Sequence, residues 1–273
     1  MSKQIWLIRH GESIANAGAA TSDHIIIPLS EKGQEQAKQV SLLLPHAPDL
    51  IIVSPFLRAQ QTAEPTLNRF PWVRTETWEV HEFTYLSPAS CVNTTAADRR
   101  ARVNEYWDRL DPDYIDGEGA ESFHQFITRA QTAIDRLNRL SNGLIVMFTH
   151  AQFIRAMRLL RDTAERDTKV IMSQFRALPR VWNCEITKIY KDGFKIEKIL
   201  PRYLQHDIDQ LIKNENPNLW DCYWCELYAS INSAEVDLEI TEEQAAYLRK
   251  KYLYGDELEK HNAMINQIIN PKS

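Results

Sequence analysis

An arginine and a histidine stand next to each other where an apolar run ends, close to the start of the chain. The apolar residues 5–8 lead directly into Arg9, His10 and Gly11. A guanidinium, an imidazole and free N–H groups at a glycine turn together suit an anion, most simply phosphate. These residues therefore predict a phosphate site.

Two further apolar runs end in residues of the same chemistry. Residues 50–53 are followed by Ser54 and, one turn later, by Arg58, and residues 144–148 are followed by His150 one residue on. None of the three runs alternates polar and apolar residues, which is typical of strands buried on both faces of a parallel sheet. Ligands bind at the carboxyl edge of such sheets. The three runs therefore predict one pocket in which two arginines and two histidines converge.

Helical patterns lie between these runs and must position them. Apolar residues recur at helical spacing in four stretches, after Ser30, over residues 98–110 and 121–140, and after His150. Ser54 and Pro55 predict the N-cap and first residue of a further helix, which Pro65 kinks or ends. Residues 181–190 and 194–200 predict a hairpin around an Asp-Gly turn. Strands that alternate with helices predict an α/β fold.

Size, charge and cysteine content exclude several classes of protein. The 273 residues are 44% hydrophobic, enough for a large core, and the net charge of −5 argues against general affinity for nucleic acid. No apolar run approaches the roughly 20 residues that span a bilayer, and the candidate site begins too early for a removable signal peptide. Four cysteines are too few for a disulfide scaffold. We therefore expect a cytoplasmic protein that binds neither nucleic acid nor membrane.

The composition changes near Pro201. Residues 201–273 hold 13 Asp or Glu against 7 Lys or Arg, and eight Trp or Tyr. Because these aromatic side chains need burial, we expect a catalytic domain over residues 1–200 and a mostly helical extension over 201–273 that packs on it. Thr241 and Gln244 predict a capping box in the extension. A lid, a homodimer surface and a partner-binding module are three uses that composition leaves open.

Cys222 and Cys225 have the spacing of a metal or redox pair. The extension offers no second pair and no well-spaced histidine, whereas zinc needs four ligands. Buried thiols in an aromatic cluster are therefore the favoured interpretation.

Four segments, in order, resemble the histidine phosphatase superfamily, which includes the cofactor-dependent phosphoglycerate mutases. They are residues 9–13 with Asn16, residues 29–33 with Gln36 and Ala37, residues 54–63, and residues 148–151. The resemblance covers about residues 3–160 and implies a three-layer α/β/α sandwich with a largely parallel central sheet. The C-terminal extension departs from the minimal family pattern.

The resemblance also implies roles for the residues at the strand ends. His10 would be the nucleophile that forms a phosphohistidine. Arg9, Arg58 and His150 would hold the phosphoryl oxygens and stabilise the charge that spreads over them in the transition state. Because the arginines supply positive charge, we expect no metal and no other cofactor.

A carboxyl group is needed to protonate the leaving oxygen and then to activate water. Glu82 matches the family's acid in position, and Glu79, three residues earlier, is its rival. Asn16 matches a further position of the phosphate pocket, and Ser13 adds a hydroxyl donor. Both are therefore expected to bind substrate.

The choice between phosphatase and mutase depends on Arg99 and Arg100. The mutases use an adjacent arginine pair to grip a second acidic group, but the neighbours of this pair and its short spacing from Glu82 do not match them. We therefore expect a phosphatase that hydrolyses a small phosphorylated molecule, with both arginines either at the substrate entrance or on a solvated helix face. A mutase and a non-catalytic phosphate-binding scaffold are the alternatives, and the presence of both His10 and Glu82 argues against the scaffold.

Overall fold

The computed structural model describes residues 3–163, 165, 167–190, 193–197, 200–213, 219–237, 240, 245–246 and 248–254. The chain divides into two units, Met1–Ile199 and Leu200–Ser273. Among the residues described, no helix has the length and apolar character needed to cross a membrane. That the second unit packs on the first stays a prediction.

A sheet of six strands forms the centre of the first unit. In chain order the strands are β1 (Gln4–Arg9), β2 (Leu50–Val53), β3 (Thr75–Thr77), β4 (Leu144–Thr149), β5 (Ile186–Tyr190) and β6 (Gly193–Glu197). Their order across the sheet is β3-β2-β4-β1-β5-β6. The strands β1 to β4 pair in parallel, whereas β5 pairs antiparallel with β1 and with β6. The predicted α/β fold with a largely parallel sheet is therefore confirmed.

Helices cover both faces of this sheet. They are α1 (Glu31–Leu43), α2 (Leu57–Arg69), α3 (Arg100–Arg109), α4 (Phe123–Arg139), α5 (Ala151–Asp162) and α6 (Thr168–Ala177). Because successive strand residues point to opposite faces, Leu7 and Met147 pack with α3 to α6. Ile8 and Phe148 pack with α1 and α2 on the other face. Burial on both faces explains the unbroken apolar runs and confirms the three layers.

The register of the parallel strands brings their carboxyl ends together. Arg9 lies opposite Thr149 in the pair of β1 and β4, and Val53 lies opposite Phe148 in the pair of β2 and β4. The residues that follow these three strands therefore meet at one edge of the sheet, as the sequence predicts.

The start of α2 differs from the prediction. The helix begins at Leu57 with Phe56 as its N-cap residue, because the Ser54 hydroxyl pairs with a histidine at the sheet edge instead of capping the helix. Pro65 lies inside α2 and does not end it. A proline removes one helical hydrogen bond, and packing of Leu67 beyond it against the α1 and α2 core keeps the last turn in place.

The C-terminal hairpin is confirmed, but its first strand is shorter than predicted. The strand β5 begins at Ile186, and residues 181–185 form a turn in which Cys184 has a φ of 56°. This turn is tied to the end of β1, since the Cys184 N–H donates to the Arg9 carbonyl at 3.1 Å. The tip of the hairpin, residues 191–192, lies outside the described residues.

The second unit is mostly helical, as predicted. Its described elements are α7 (Arg202–Lys213), α8 (Trp220–Val236) and a π-helical turn, Arg249–Leu253. Leu204, Leu227 and Leu253 belong to one buried cluster within it. Cys222 and Cys225 are exposed on α8, so the interpretation as buried thiols is wrong. The predicted capping box at residues 241–244 lies outside the described residues.

Candidate active site

A cavity of about 250 Å³ lies at the carboxyl edge of the sheet. Seven of the nine predicted site residues line it, namely Arg9, His10, Ser13, Asn16, Arg58, Glu82 and Arg99. His150 is fully buried beside it, with its ring centroid 5.1 Å from that of His10. Arg100 is exposed and is not part of the cavity wall. The structure thus brings together eight of the nine side chains.

The His10 imidazole carries one proton on Nδ1 and presents the lone pair of Nε2 to Arg58. Its Nδ1 lies 2.6 Å from the Gly11 carbonyl oxygen, and because a carbonyl only accepts, Nδ1 carries the proton. Nε2 accepts from Arg58 Nε–H at 3.2 Å. Burial, followed by the charges of Arg58 and Arg9, holds the pKa of His10 well below its usual value. The imidazole is therefore neutral at physiological pH, with the Nε2 lone pair in the cavity.

Gly11 is required by a close approach of two backbones. A Cβ on Gly11 would lie 2.5 Å from the carbonyl oxygen of Gly33 in α1. The Gly11 N–H donates to Thr62 Oγ1 in α2 at 3.0 Å. The loop that carries the arginine and histidine is thus fixed against both helices on that face of the sheet.

One backbone carbonyl and one side-chain amide oxygen orient the Arg9 guanidinium. Its Nη1 donates to the Val181 carbonyl at 2.8 Å and its Nη2 to Asn16 Oδ1 at 3.4 Å, while its buried Nε has no partner among the described residues. Burial lowers the pKa of Arg9 to about 10, which leaves it charged at neutral pH. Sequence patterns cannot identify Val181, because any residue supplies a carbonyl.

Arg58 is held in the same manner. Its Nη1 donates to the His24 carbonyl at 2.8 Å, and its guanidinium lies 5.0 Å from the centroid of the Phe56 ring. Burial lowers the pKa of Arg58 to about 10, so it also stays charged at neutral pH. Two cations with little conformational freedom therefore flank His10.

His150 presents one unpartnered ring nitrogen. Its Nε2 lies 2.8 Å from Ser54 Oγ, and its buried Nδ1 has no hydrogen-bond partner among the described residues. Burial and then the charge of Arg58 hold the pKa of His150 well below its usual value. A neutral ring whose Nε2 accepts from the Ser54 hydroxyl carries its proton on Nδ1, where it is free to donate. Ser54 was predicted as a helix cap and instead orients a site histidine.

Glu82 is the carboxylate that the structure brings to the cavity. Its Oε1 accepts from the N–H groups of Phe83 at 3.1 Å and Gln152 at 3.0 Å, which leaves Oε2 for proton transfer. Burial raises the pKa of Glu82, against the opposing charges of Arg58 and Arg9. The rival Glu79 is 75% exposed and pairs with His81, so only Glu82 meets the geometry of the predicted acid.

An ion pair between Arg129 of α4 and Glu121, just before that helix, holds the loop around Glu82. Arg129 Nη1 donates to the carbonyls of Glu79 at 2.9 Å and His81 at 3.0 Å. Its Nη2 lies 2.6 Å from Glu121 Oε1, and that same oxygen accepts from the Thr84 N–H. The pair therefore fixes the backbone on both sides of Glu82, a role that pattern alone does not reveal.

We expect Arg129→Lys to impair the reaction through Glu82. A lysine keeps the charge but cannot bridge the two carbonyls and the carboxylate at once, so Glu82 moves from its productive position. We expect kcat/KM to fall roughly tenfold for alkyl phosphates and much less for p-nitrophenyl phosphate, whose leaving group needs no proton. Steady-state kinetics on both substrates measure this split.

The control is Arg136→Lys, on the same helix, because Arg136 is 53% exposed and pairs with Glu76 outside the cavity. It should leave both substrates unaffected. Equal losses on the two substrates in Arg129→Lys would indicate a general structural defect and contradict the positioning role.

The four predicted substrate-binding residues differ in their contacts and in whether they line the cavity. Asn16 Oδ1 accepts from Arg9 and from the Ser13 N–H at 3.3 Å, and its NH₂ group remains a potential donor to a bound phosphate. Ser13 Oγ accepts from the Asn16 N–H. Arg99 is tied by Nη1 to the Thr94 carbonyl at 2.7 Å, while Arg100 stays on the solvated face of α3. Only Arg99 of the adjacent arginines therefore faces the cavity.

Within the described residues, no group of three or more His, Cys, Asp or Glu side chains is placed to hold a metal ion. The positive charge in the cavity comes from its arginines.

Comparison with known proteins identifies relatives of this chain. Adenosylcobalamin/alpha-ribazole phosphatase of Salmonella typhimurium is 30% identical over 171 residues, which are 58% of this chain and 79% of that protein. Fructose-2,6-bisphosphatase of Saccharomyces cerevisiae is 26% identical over 198 residues, which are 68% of this chain but only 41% of that protein. The structure of alpha-ribazole phosphatase from Shigella flexneri superposes with a TM-score of 0.55 at 23% identity, over 72% of this chain and 95% of that one, and this likeness supports the fold.

The sequence model of the histidine phosphatase superfamily, branch 1, matches residues 5–189. This match spans the whole sheet up to β5 and every residue of the cavity wall. It ends before the second unit. The chain therefore belongs to the histidine phosphatase superfamily, branch 1, and is an enzyme of the phosphomonoesterase type.

Proposed function

We propose that this enzyme hydrolyses a small-molecule phosphomonoester in two steps, through a phosphohistidine on His10. The observation that carries the proposal is the contact between His10 and Gly11, which fixes the ring nitrogen that holds the single proton of a neutral His10. Its Nδ1 is committed to the Gly11 carbonyl, so the lone pair on Nε2 is available for attack beside Arg58. A binding protein has no use for a neutral nucleophile in a cationic pocket.

In the first step His10 Nε2 attacks phosphorus and the bond to the alcohol oxygen breaks. Glu82 gives its proton to that oxygen, which leaves as the alcohol. Arg9 and Arg58 neutralise the charge on the phosphoryl oxygens, and the Nδ1–H of His150 donates to the same group. These donors are already held by protein groups, so little reorganisation is needed when the charge develops.

In the second step water attacks the phosphohistidine and the bond between Nε2 and phosphorus breaks. The Glu82 carboxylate, left without its proton by the first step, takes one proton from the water. Orthophosphate departs and both His10 and Glu82 return to their starting states. The raised pKa of Glu82 favours this return, because a carboxyl group in low-dielectric surroundings readily takes up a proton.

The placement of the adjacent arginines favours a phosphatase over a mutase. A mutase holds a second acidic group with both arginines of such a pair, whereas here Arg100 is exposed and away from the cavity wall. The relatives reported above are named phosphatases. We therefore assign water as the final acceptor.

Arg99 favours a substrate with a second anionic group. It makes no ion pair among the described residues, and its Nη1 is held by Thr94. The cavity wall also includes the apolar and aromatic residues Tyr85, Leu86 and Val103. A phosphomonoester whose alcohol part has an apolar face and carries a carboxylate or a second phosphate fits these surroundings.

We expect Arg99→Met to raise KM for such a doubly anionic substrate by roughly tenfold, with little change in kcat. Arg100→Met is the matched control and should change neither constant. The measurement is steady-state kinetics on a panel of phosphate esters with and without a second anion. A uniform loss over the whole panel would remove Arg99 as a specificity residue.

The phosphohistidine is tested by rapid mixing of the wild type with a ³²P-labelled ester, followed by quenching. A protein-bound label that is stable in base and labile in acid is expected, on the peptide that contains His10. Release of labelled orthophosphate without any such intermediate would contradict the two-step mechanism.

A further inference from the structure

Neither step of the proposed reaction uses the side chain of Gln152. Gln152 is among the residues that line the same cavity as His10 and Glu82. Its side-chain oxygen Oε1 is buried, and no described residue donates a hydrogen bond to it. Buried polar atoms nearly always have a partner, so an unpartnered amide oxygen in a reaction cavity indicates a hydrogen-bond donor that takes part in the reaction.

The partner of an amide oxygen must carry a proton. The phosphoryl oxygens are acceptors, and the cations Arg9 and Arg58 already serve them. The other reacting species are the alcohol and water. The alcohol oxygen leaves without a proton and takes one from Glu82, so it offers nothing to Gln152 during the first step.

Water differs from the alcohol because it has two protons. Glu82 accepts one of them in the second step, and the other needs an acceptor nearby. The Gln152 backbone N–H donates to Glu82 Oε1 at 3.0 Å, which keeps the two residues adjacent. Two adjacent acceptors in one cavity match the two protons of a single water molecule.

We propose that the side-chain amide oxygen of Gln152 and the carboxylate of Glu82 together hold the water that hydrolyses the phosphohistidine. This inference rests on the proposed function. One water proton points to Gln152 and the other passes to Glu82, so an oxygen lone pair faces phosphorus. As the new oxygen–phosphorus bond forms, the bond to His10 Nε2 breaks and its electron pair returns to nitrogen.

The test is Gln152→Met, which removes the acceptor, nearly preserves the side-chain size and retains the backbone bond to Glu82. With p-nitrophenyl phosphate we expect the breakdown of the phosphoenzyme to slow about tenfold, the loss typical of one hydrogen bond. The rate of its formation should not change. As breakdown becomes limiting, kcat and KM should fall together while kcat/KM stays constant, and the steady-state fraction of phosphoenzyme should rise.

Methanol provides a second readout. An alcohol has a single hydroxyl proton, which Glu82 takes, so transfer to methanol does not need Gln152. In Gln152→Met the ratio of methyl phosphate to orthophosphate should rise about tenfold. A general distortion of the cavity would slow both products and leave the ratio unchanged.

Gln131→Met on the exposed face of α4 is the matched control, and Gln152→Asn, which shortens the amide, provides a second variant if the methionine variant does not fold. An unchanged breakdown rate or product ratio, in an enzyme that forms phosphohistidine, would overturn the role of Gln152 alone. Absence of any phosphohistidine in the wild type would overturn the proposed function instead.

Discussion

Replacing His10 by alanine will lower phosphate release by roughly 10⁴-fold or more, the scale of loss when a covalent nucleophile is removed. The remaining arginines still bind a phosphate group, but a guanidinium only donates hydrogen bonds and cannot replace the Nε2 lone pair of His10. Orthophosphate release and the formation of labelled phosphoenzyme are measured side by side, and both should disappear.

The comparison needs a control for folding and one for histidine loss in general. Circular dichroism and the Tm should show that the His10→Ala variant is folded. His46→Ala provides the second control, because His46 is exposed and its ring hydrogen-bonds to the carbonyl of its neighbour Ala47. Activity near that of the wild type in His10→Ala would exclude His10 as the nucleophile.

Much of this site follows from the sequence because strand geometry leaves few alternatives. An apolar run without alternation must be buried on both faces, and parallel strands share one carboxyl edge. The positions of Arg9, His10 and His150 at that edge, with Arg58 one turn further on, follow from these two facts. The observed register of β1, β4 and β2 agrees with them.

The parts that escaped prediction are those in which the chain uses its backbone or a distant side chain. Carbonyl groups of Val181 and His24 orient the two arginines. Because every residue has a backbone carbonyl, the sequence does not show which one makes such a contact. Ser54 followed by proline predicts a helix cap, yet tertiary contact with His150 recruits its hydroxyl. A local pattern cannot anticipate that competition, because the partner lies 96 residues away.

The choice between Glu82 and Glu79 shows the same limit. Three residues separate them, and motif position alone favoured Glu82. In the structure the deciding contacts come from the N–H groups of Phe83 and Gln152, of which the second belongs to α5. The orientation of a carboxylate in a loop without regular structure depends on such long-range contacts, so it becomes visible only in three dimensions.

Replacing Glu82 by glutamine will lower kcat/KM far more for substrates with poor leaving groups than for substrates with good ones. An alkoxide leaves slowly unless it is protonated, so kcat/KM for alkyl phosphates should fall by roughly 10²–10⁴-fold, the usual contribution of general acid catalysis. For p-nitrophenyl phosphate the loss should stay below roughly tenfold. The constant kcat/KM is the relevant one, because it reports the first step and excludes the later activation of water.

The same variant should also change the pH dependence. The reaction needs neutral His10 and protonated Glu82 at the start. The pKa of His10 is held well below 6.5 by burial and the two arginines, so the fall of kcat/KM on the acid side lies at low pH. Burial raises the pKa of Glu82, so kcat/KM for alkyl phosphates falls again as the pH rises through that raised value. In Glu82→Gln this second fall should be absent.

Glu79→Gln is the matched control, since Glu79 is 75% exposed and outside the cavity wall. This variant should keep the wild-type ratio of kcat/KM between alkyl and aryl esters, and the wild-type pH profile. Equal losses of Glu82→Gln on alkyl and aryl esters would count against the acid role, as would an unchanged alkaline fall. A leaving-group effect in Glu79→Gln would transfer that role to its neighbour. The two glutamates have the same side chain and differ only in burial and contacts. A difference between the two variants therefore measures how much the position of Glu82 in the folded loop contributes to its role as the acid.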